Sequence, residues 1–180
     1  MDGFSFAENT KIINMQAPVA ISAAAMTTEW ISMKNAQKAT WFLSLGVLHS
    51  SFDDATISIN VANDASGTKS ATLSAKMDFV LENVWKSGAL PSDTLTKQTV
   101  STSGSIDSVA IASTDDGRIF VIEVDGSKLG TFSSSSVTYD ADYVRLAIPS
   151  AGSGGAGLVS CFCIQTGLRY KEDSPPTAIT

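Results

Sequence analysis

The chain has 180 residues, of which 43% are hydrophobic and 17% charged, and a formal net charge of −6. That length suits one domain able to bury roughly 70% of its unfolded surface without disulfide help. The acidic balance, with no cluster of Lys and Arg, argues against a nucleic-acid partner, and no run approaches the ~20 apolar residues of a membrane-spanning helix. The opening Met-Asp-Gly-Phe has neither the basic start nor the apolar run of a signal peptide. Synthesis and folding are therefore expected in a cytosol, where thiols stay reduced.

Residues 1–20 carry Phe4 and Phe6, a polar break, then Ile12, Ile13 and Met15 ahead of Pro18. This is either a first edge strand or an arm that docks on a neighbouring subunit, since so many apolar groups need something to bury against. We assign 1–26 as an N-terminal arm, 27–170 as the folded domain and 171–180 as a flexible C-terminal tail. Phe4, Phe6, Ile12, Ile13 and Met15 are the arm's candidate partner-binding residues. Ala20 to Met26 suits a helical turn, and Thr27 to Lys34 a strand.

The strongest stretch runs from Ala39 to Asn63. Ile57, Ile59 and Val61 alternate with Ser58, Asn60 and Ala62, the period of a strand with one apolar face. Trp41, Leu43 and Leu45 alternate with Phe42, apolar on both sides, which predicts a strand covered on both faces. Asn63 to Gly67 has hairpin-turn chemistry, and Ser70 to Ala75 alternates weakly. Met77 to Trp85 fits helix and strand about equally, with strand favoured by context. Thr94 to Thr102 and Ser105 to Ala112 read as further strands.

Asp115-Asp-Gly117 is a turn before Arg118 to Asp125, the second strongest strand. Gly126 to Thr131 is a turn or a single helical turn, and Ser133 to Ser136 a polar surface loop. Tyr139 to Ile148 is a strand, Ala151 to Gly157 a glycine-rich loop, and Leu158 to Tyr170 a last strand bent at Gly167. Short strands at regular spacing without a long helix predict an all-β fold, an antiparallel β-sandwich or jelly roll. Trp41, Leu43, Ile57, Ile59, Val61, Ile119, Val121, Val144, Leu146 and Phe162 are its expected core.

Catalytic patterns are weak. His49 is the single histidine, and its neighbours Ser50, Ser51 and Asp53 are turn residues rather than a convergent triad. Asp53-Asp54, Asp64 and Asp115-Asp116 lack the alternate-position spacing of a calcium loop. Gly152 to Gly157 lacks the Lys-Ser/Thr and the following helix of a phosphate-cradling loop. Cys161 and Cys163 share one strand face and are expected to be buried, inert thiols. Trp30, Trp41 and Trp85 suit a core better than a sugar-stacking platform, and Arg169-Tyr170 either clamps the last strand or simply ends it. No cofactor or metal is expected, and no enzymatic activity.

The order of these segments resembles a known group. An N-terminal arm precedes Ala-Thr-Trp-Phe-Leu-Ser-Leu-Gly-Val and Ala-Thr-Ile-Ser-Ile-Asn-Val-Ala-Asn-Asp-Ala-Ser-Gly-Thr. Arg-Ile-Phe-Val-Ile-Glu-Val-Asp-Gly-Ser-Lys-Leu, Tyr-Val-Arg-Leu and Gly-Leu-Arg-Tyr follow. From about Thr27 to Tyr170 this resembles small virion structural proteins of tailed bacteriophages, those that decorate or cement heads. The resemblance implies a non-enzymatic β-rich protein on the capsid surface. Its partners would be the major capsid protein and further copies of itself, often as trimers. The competing expectation is a receptor- or carbohydrate-binding sandwich of a phage tail or fibre.

Overall fold

The computed structural model describes residues 10–21, 25–49, 55–73, 79–83, 95–97, 109–148 and 156–168. They form strands β1 (Thr10–Ile21), β2 (Met26–Thr27), β3 (Ile31–Ser32), β4 (Lys38–Leu48), β5 (Ala55–Ala62), β6 (Ser70–Leu73) and β7 (Phe79–Asn83). These continue as β8 (Leu95–Lys97), β9 (Val109–Ile111), β10 (Ile119–Asp125), β11 (Thr131–Ser134), β12 (Val137–Asp140), β13 (Tyr143–Ile148) and β14 (Gly157–Thr166). A 3-10 turn at Gly126–Lys128 is the helical element among the described residues.

One large sheet has the order β1-β14-β4-β10-β7-β8 and a second β2-β13-β5-β6, with β3 joined to β13 and β9 to β5, while β11 and β12 form a separate two-stranded sheet. Every pairing is antiparallel. The two inner faces share one apolar cluster, which includes Trp41, Leu43 and Ile122 from the first sheet and Ile59, Val144 and Leu146 from the second. The all-β sandwich is therefore the architecture. Each large side chain moved from water into this cluster contributes about 1.5–3 kcal/mol.

Alternation explains most of the strands. Ile57, Ile59 and Val61 of β5 are fully buried, with Thr56, Ser58 and Asn60 half-exposed between them. Three expected core residues lie elsewhere: Ile119, Val121 and Phe162 point away from the core. In β10 the buried residues are Phe120, Ile122 and Val124. Both phases of this strand are apolar at its start, but Glu123 and Asp125 share a face with Ile119 and Val121 and turn that face outward. In β14, Val159, Cys161 and Cys163 face inward, leaving Phe162 42% exposed.

Residues 10–21 of the expected arm are the edge strand β1, paired along β14 from Thr10↔Thr166 to Ile21↔Gly157. Ile13 and Met15 are buried in the chain's own core, whereas Ile12 is 60% exposed on the outer face. The edge-strand alternative thus describes these three residues. The ladder shifts register between Asn14 and Gln16 and again between Gln16 and Val19, and Pro18 lies in the same half. Phe4 and Phe6 lie outside the described residues, as do Trp85, Ser50 to Asp54, Arg169-Tyr170 and the tail 171–180.

Two buried polar residues tie strands together, one within the second sheet and one between the sheets. Thr28 sits between β2 and β3, where its Oγ1 accepts from Leu146 N at 3.0 Å and its own N–H donates to Leu146 O at 2.9 Å. A side chain thus continues the β13 ladder across the gap. Gln165 of β14 donates to Ser32 O at 2.7 Å, tying the first sheet to β3 of the second. The expected polar loop at Ser133 to Ser136 is instead the β11–β12 hairpin, turning at Ser135 (φ 52°) and Ser136 (φ 65°). Two successive positive φ values match the twist of the flanking strands, which is why so tight a turn closes here without glycine.

Candidate functional site

Among the described residues, several of the candidate polar groups serve the backbone. His49 is exposed at the end of β4, and its backbone N–H donates to Ala156 O at 3.0 Å. Asp115 is buried: one carboxylate oxygen pairs with Arg118 at 2.9 Å and the other accepts from Ala112 N at 2.8 Å. Asp116 accepts from Leu48 N at 2.5 Å, and Gly117, at φ +70°, donates to Gly46 O. These acidic residues stitch the turn before β10 onto β4. Asp64 accepts from Ser66 Oγ at 2.6 Å and from Ser66 N at 2.9 Å, and these bonds hold its carboxyl below the usual range.

Burial pushes the Cys161 thiol up to about 12, and that of Cys163 higher still, so neither carries a thiolate near neutrality. Trp41 is fully buried, so the three tryptophans make no common platform. Trp30 packs beneath Arg145, whose guanidinium carbon is 4.3 Å from the ring centroid. Among the described residues no three His, Cys, Asp or Glu side chains gather as a metal site. No described helix is long and apolar enough to cross a membrane.

What stands out is the outer face of the first sheet. The antiparallel register sets Phe162 beside Phe42, and Phe42 beside Val121. The two phenyl rings stack, with centroids 4.8 Å apart and planes within 6°. The next row in one direction is Ser160, Ser44 and Ile119, and in the other Ile12, Ile164, Thr40 and Glu123. Leu158 lies across Gly46, where an added Cβ would sit 3.1 Å from the Leu158 Cβ. Ile12, Ile119, Val47, Leu158 and Phe162 are all exposed here or at the rim. Lys38 and Glu123 close one end with an ion pair at 2.6 Å.

This band has a different character from the outer face of the second sheet. There Ser58, Asn60, Thr72, Tyr143 and Arg145 provide a polar, hydroxyl-rich surface, with Thr72 bonded to Asn60 at 3.1 Å. A solvated sheet face alternates to polar side chains, as this one does. A face that keeps Phe, Val, Ile and Leu in register across several strands has the chemistry of a contact surface. Of the three described arm residues proposed from sequence, Ile12 belongs to it, whereas Ile13 and Met15 face the core; Phe4 and Phe6 lie outside the described residues. The residues that the sequence reading missed as surface groups are Phe42, Ile119, Val121 and Phe162. Their signal was present in the two-sided apolarity of β4, β10 and β14.

No family model matches the chain, and no curated protein matches it. Two solved structures overlap it weakly. One is the structure of infectious bursal disease virus, Gt strain, at 8% identity, TM-score 0.23 and 87% coverage of this chain. The other is the VP2 subviral particle of infectious bursal disease virus, at 10% identity, TM-score 0.19 and the same coverage. The chain spans 40% of the length of each of those chains.

Proposed function

We propose that this chain is a non-enzymatic structural subunit of a virion, of the head-decoration type, which lies on a shell of major capsid protein in symmetric copies. The observation that carries the reading is the apolar outer face of the first sheet, an area that an isolated protein would expose to water at a cost. Subunits of assemblies keep such faces because neighbours cover them. The low charge and hydroxyl-rich remainder of the surface suit a protein held by close packing rather than by ionic steering. The reading implies synthesis in the host cytoplasm and residence on the capsid surface. It also leaves residues 1–9, with Phe4 and Phe6, as the segment that reaches the shell.

The Phe42–Phe162 stack, with Phe162 exposed, also raises the carbohydrate-binding alternative. Sugar recognition needs an open aromatic face beside fixed polar groups. Rings stacked at 4.8 Å each give one face to the other rather than to a sugar ring, which favours packing against apolar side chains.

The test is cosedimentation of the purified protein with empty phage heads lacking it, read together with the temperature at which the heads disrupt. Saturable binding at a fixed ratio and a raised disruption temperature are expected. Deleting residues 1–9 removes Phe4 and Phe6 but spares β1, and should weaken head binding while leaving the fold intact. Absence of binding, or an undiminished affinity in the truncated protein together with glycan binding by the intact one, overturns the reading.

A further inference from the structure

We propose that the outer face of the first sheet binds a second copy of this chain, sheet against sheet about a two-fold axis. This goes beyond the decoration reading, since it assigns an occupant to the face whatever shell the protein finally covers. The relief of the face is self-complementary. The row Phe162–Phe42–Val121 is tall, and the adjacent row Ser160–Ser44–Ile119 is low at its first two positions. Successive rows on one face are about 6.7 Å apart, two residues along a strand. A two-fold axis lying in the contact plane, parallel to the rows and midway between these two, sets each copy's phenyl ridge over the other's serine trough. That is an isologous contact, in which residue i meets j and j meets i. Two sheets facing each other in this way also reproduce the aligned packing of a sandwich.

Size and charge agree with this occupant. At about 3.3 Å rise and about 4.8 Å strand spacing, β1, β14, β4 and β10 tile roughly 600 Å², the low end of the share that each partner gives to a standard interface. The chain is acidic overall, so two copies repel at long range, yet Lys38 is paired with Glu123 at the margin of this face and repulsion is not focused there. The hydroxyls of Ser160 and Ser44 are small enough to admit a ring and polar enough to stay solvated in the free monomer.

Sedimentation equilibrium of the full chain, without capsids, tests the proposal. The wild type should be a dimer of twice 18.8 kDa at micromolar concentration. Phe162→Ser removes the ridge, and Ser44→Lys fills the trough with a charge at an already exposed position. Each should weaken dimerisation roughly 30-fold or more. Ser44→Lys should do so with an unchanged urea midpoint of the monomer, which guards against a folding defect in Phe162→Ser. A wild type that stays monomeric, because its own N-terminal segment or a different partner covers the face, overturns the proposal. So does a trimer, or a dimer that Ser44→Lys leaves intact. Loss of head binding with the dimer intact would instead sink only the decoration reading.

Discussion

Replacing Asp115 with alanine should destabilise the protein far more than a turn residue ordinarily would. The carboxylate is 6% exposed and does two jobs, holding Arg118 at 2.9 Å and accepting from the backbone N–H of Ala112 at 2.8 Å. Truncating one member of a buried pair costs about 3–5 kcal/mol because the remaining charge has lost its compensation. The Arg118 side chain is 18% exposed, so water recovers part of that loss, and the figure belongs at the low end. Leaving the Ala112 amide without its acceptor adds about 1–3 kcal/mol where water cannot reach it. We expect a total near 4 kcal/mol, which for a chain of this size lowers Tm by about 8–16 °C. Asp115→Asn keeps an oxygen for Ala112 and loses only the charge, so about half of the effect should remain. Urea denaturation of the three proteins at neutral pH measures both numbers. A loss below about 1 kcal/mol for Asp115→Ala would show that the turn is not anchored by this side chain and that the reasoning from burial is mistaken.

Gly67, at φ +67°, lies against Trp30, and an added Cβ would fall 2.3 Å from Trp30 Nε1. Gly67→Ala should therefore expel the indole from beneath Arg145, giving a measurable red shift in tryptophan emission and a loss of at least about 1–2 kcal/mol in denaturation. Ile59→Ala, in the fully buried interior, should cost about 2–5 kcal/mol, with the same assay as the check. The native thiols of Cys161 and Cys163 should resist alkylation at pH 8 and react once the chain is unfolded, as followed by mass spectrometry. Asp125 caps the 3-10 turn, and hydrogen bonds from Ser127 hold its carboxyl below the usual 3.8. A depressed folded-state value means that the capping contribution is present above 3.8 and lost as pH falls through the lower folded value. Ser127→Ala should raise the Asp125 value toward 3.8 in a carbon-detected NMR titration.

The fold class was legible because the strands with one polar face declare their orientation. Ile57, Ile59 and Val61 could face only one way, and they do. The strands with two apolar faces were harder to read. Alternation in β4, β10 and β14 is nearly silent, and a single sequence does not distinguish a face covered by its own chain from one covered by another. In β10 the polar marks at Glu123 and Asp125 sit at the far end of the strand, and they were outweighed by Ile119 and Val121. In β14 Ser160 was the corresponding mark for Phe162. The candidate site was missed for the same reason, since its residues looked like core. The N-terminal segment was ambiguous for a different reason. Aromatic and aliphatic groups in residues 1–20 signal burial, but they do not say against which surface, and for Ile13 and Met15 the answer is the chain's own sheet.

The interrupted half of β1 has a consequence for how copies of this chain can multiply. An open edge of regular ladder is a template onto which another strand can add, then another, and such growth has no natural end. From Gln16 onward the register slips and Pro18 withholds an amide, so that stretch of the rim is a poor template for an incoming backbone. Lateral recruitment along that border is thereby discouraged, while the broad side of the sheet stays available. A border interrupted in this manner is a poor start for open-ended strand addition at that edge.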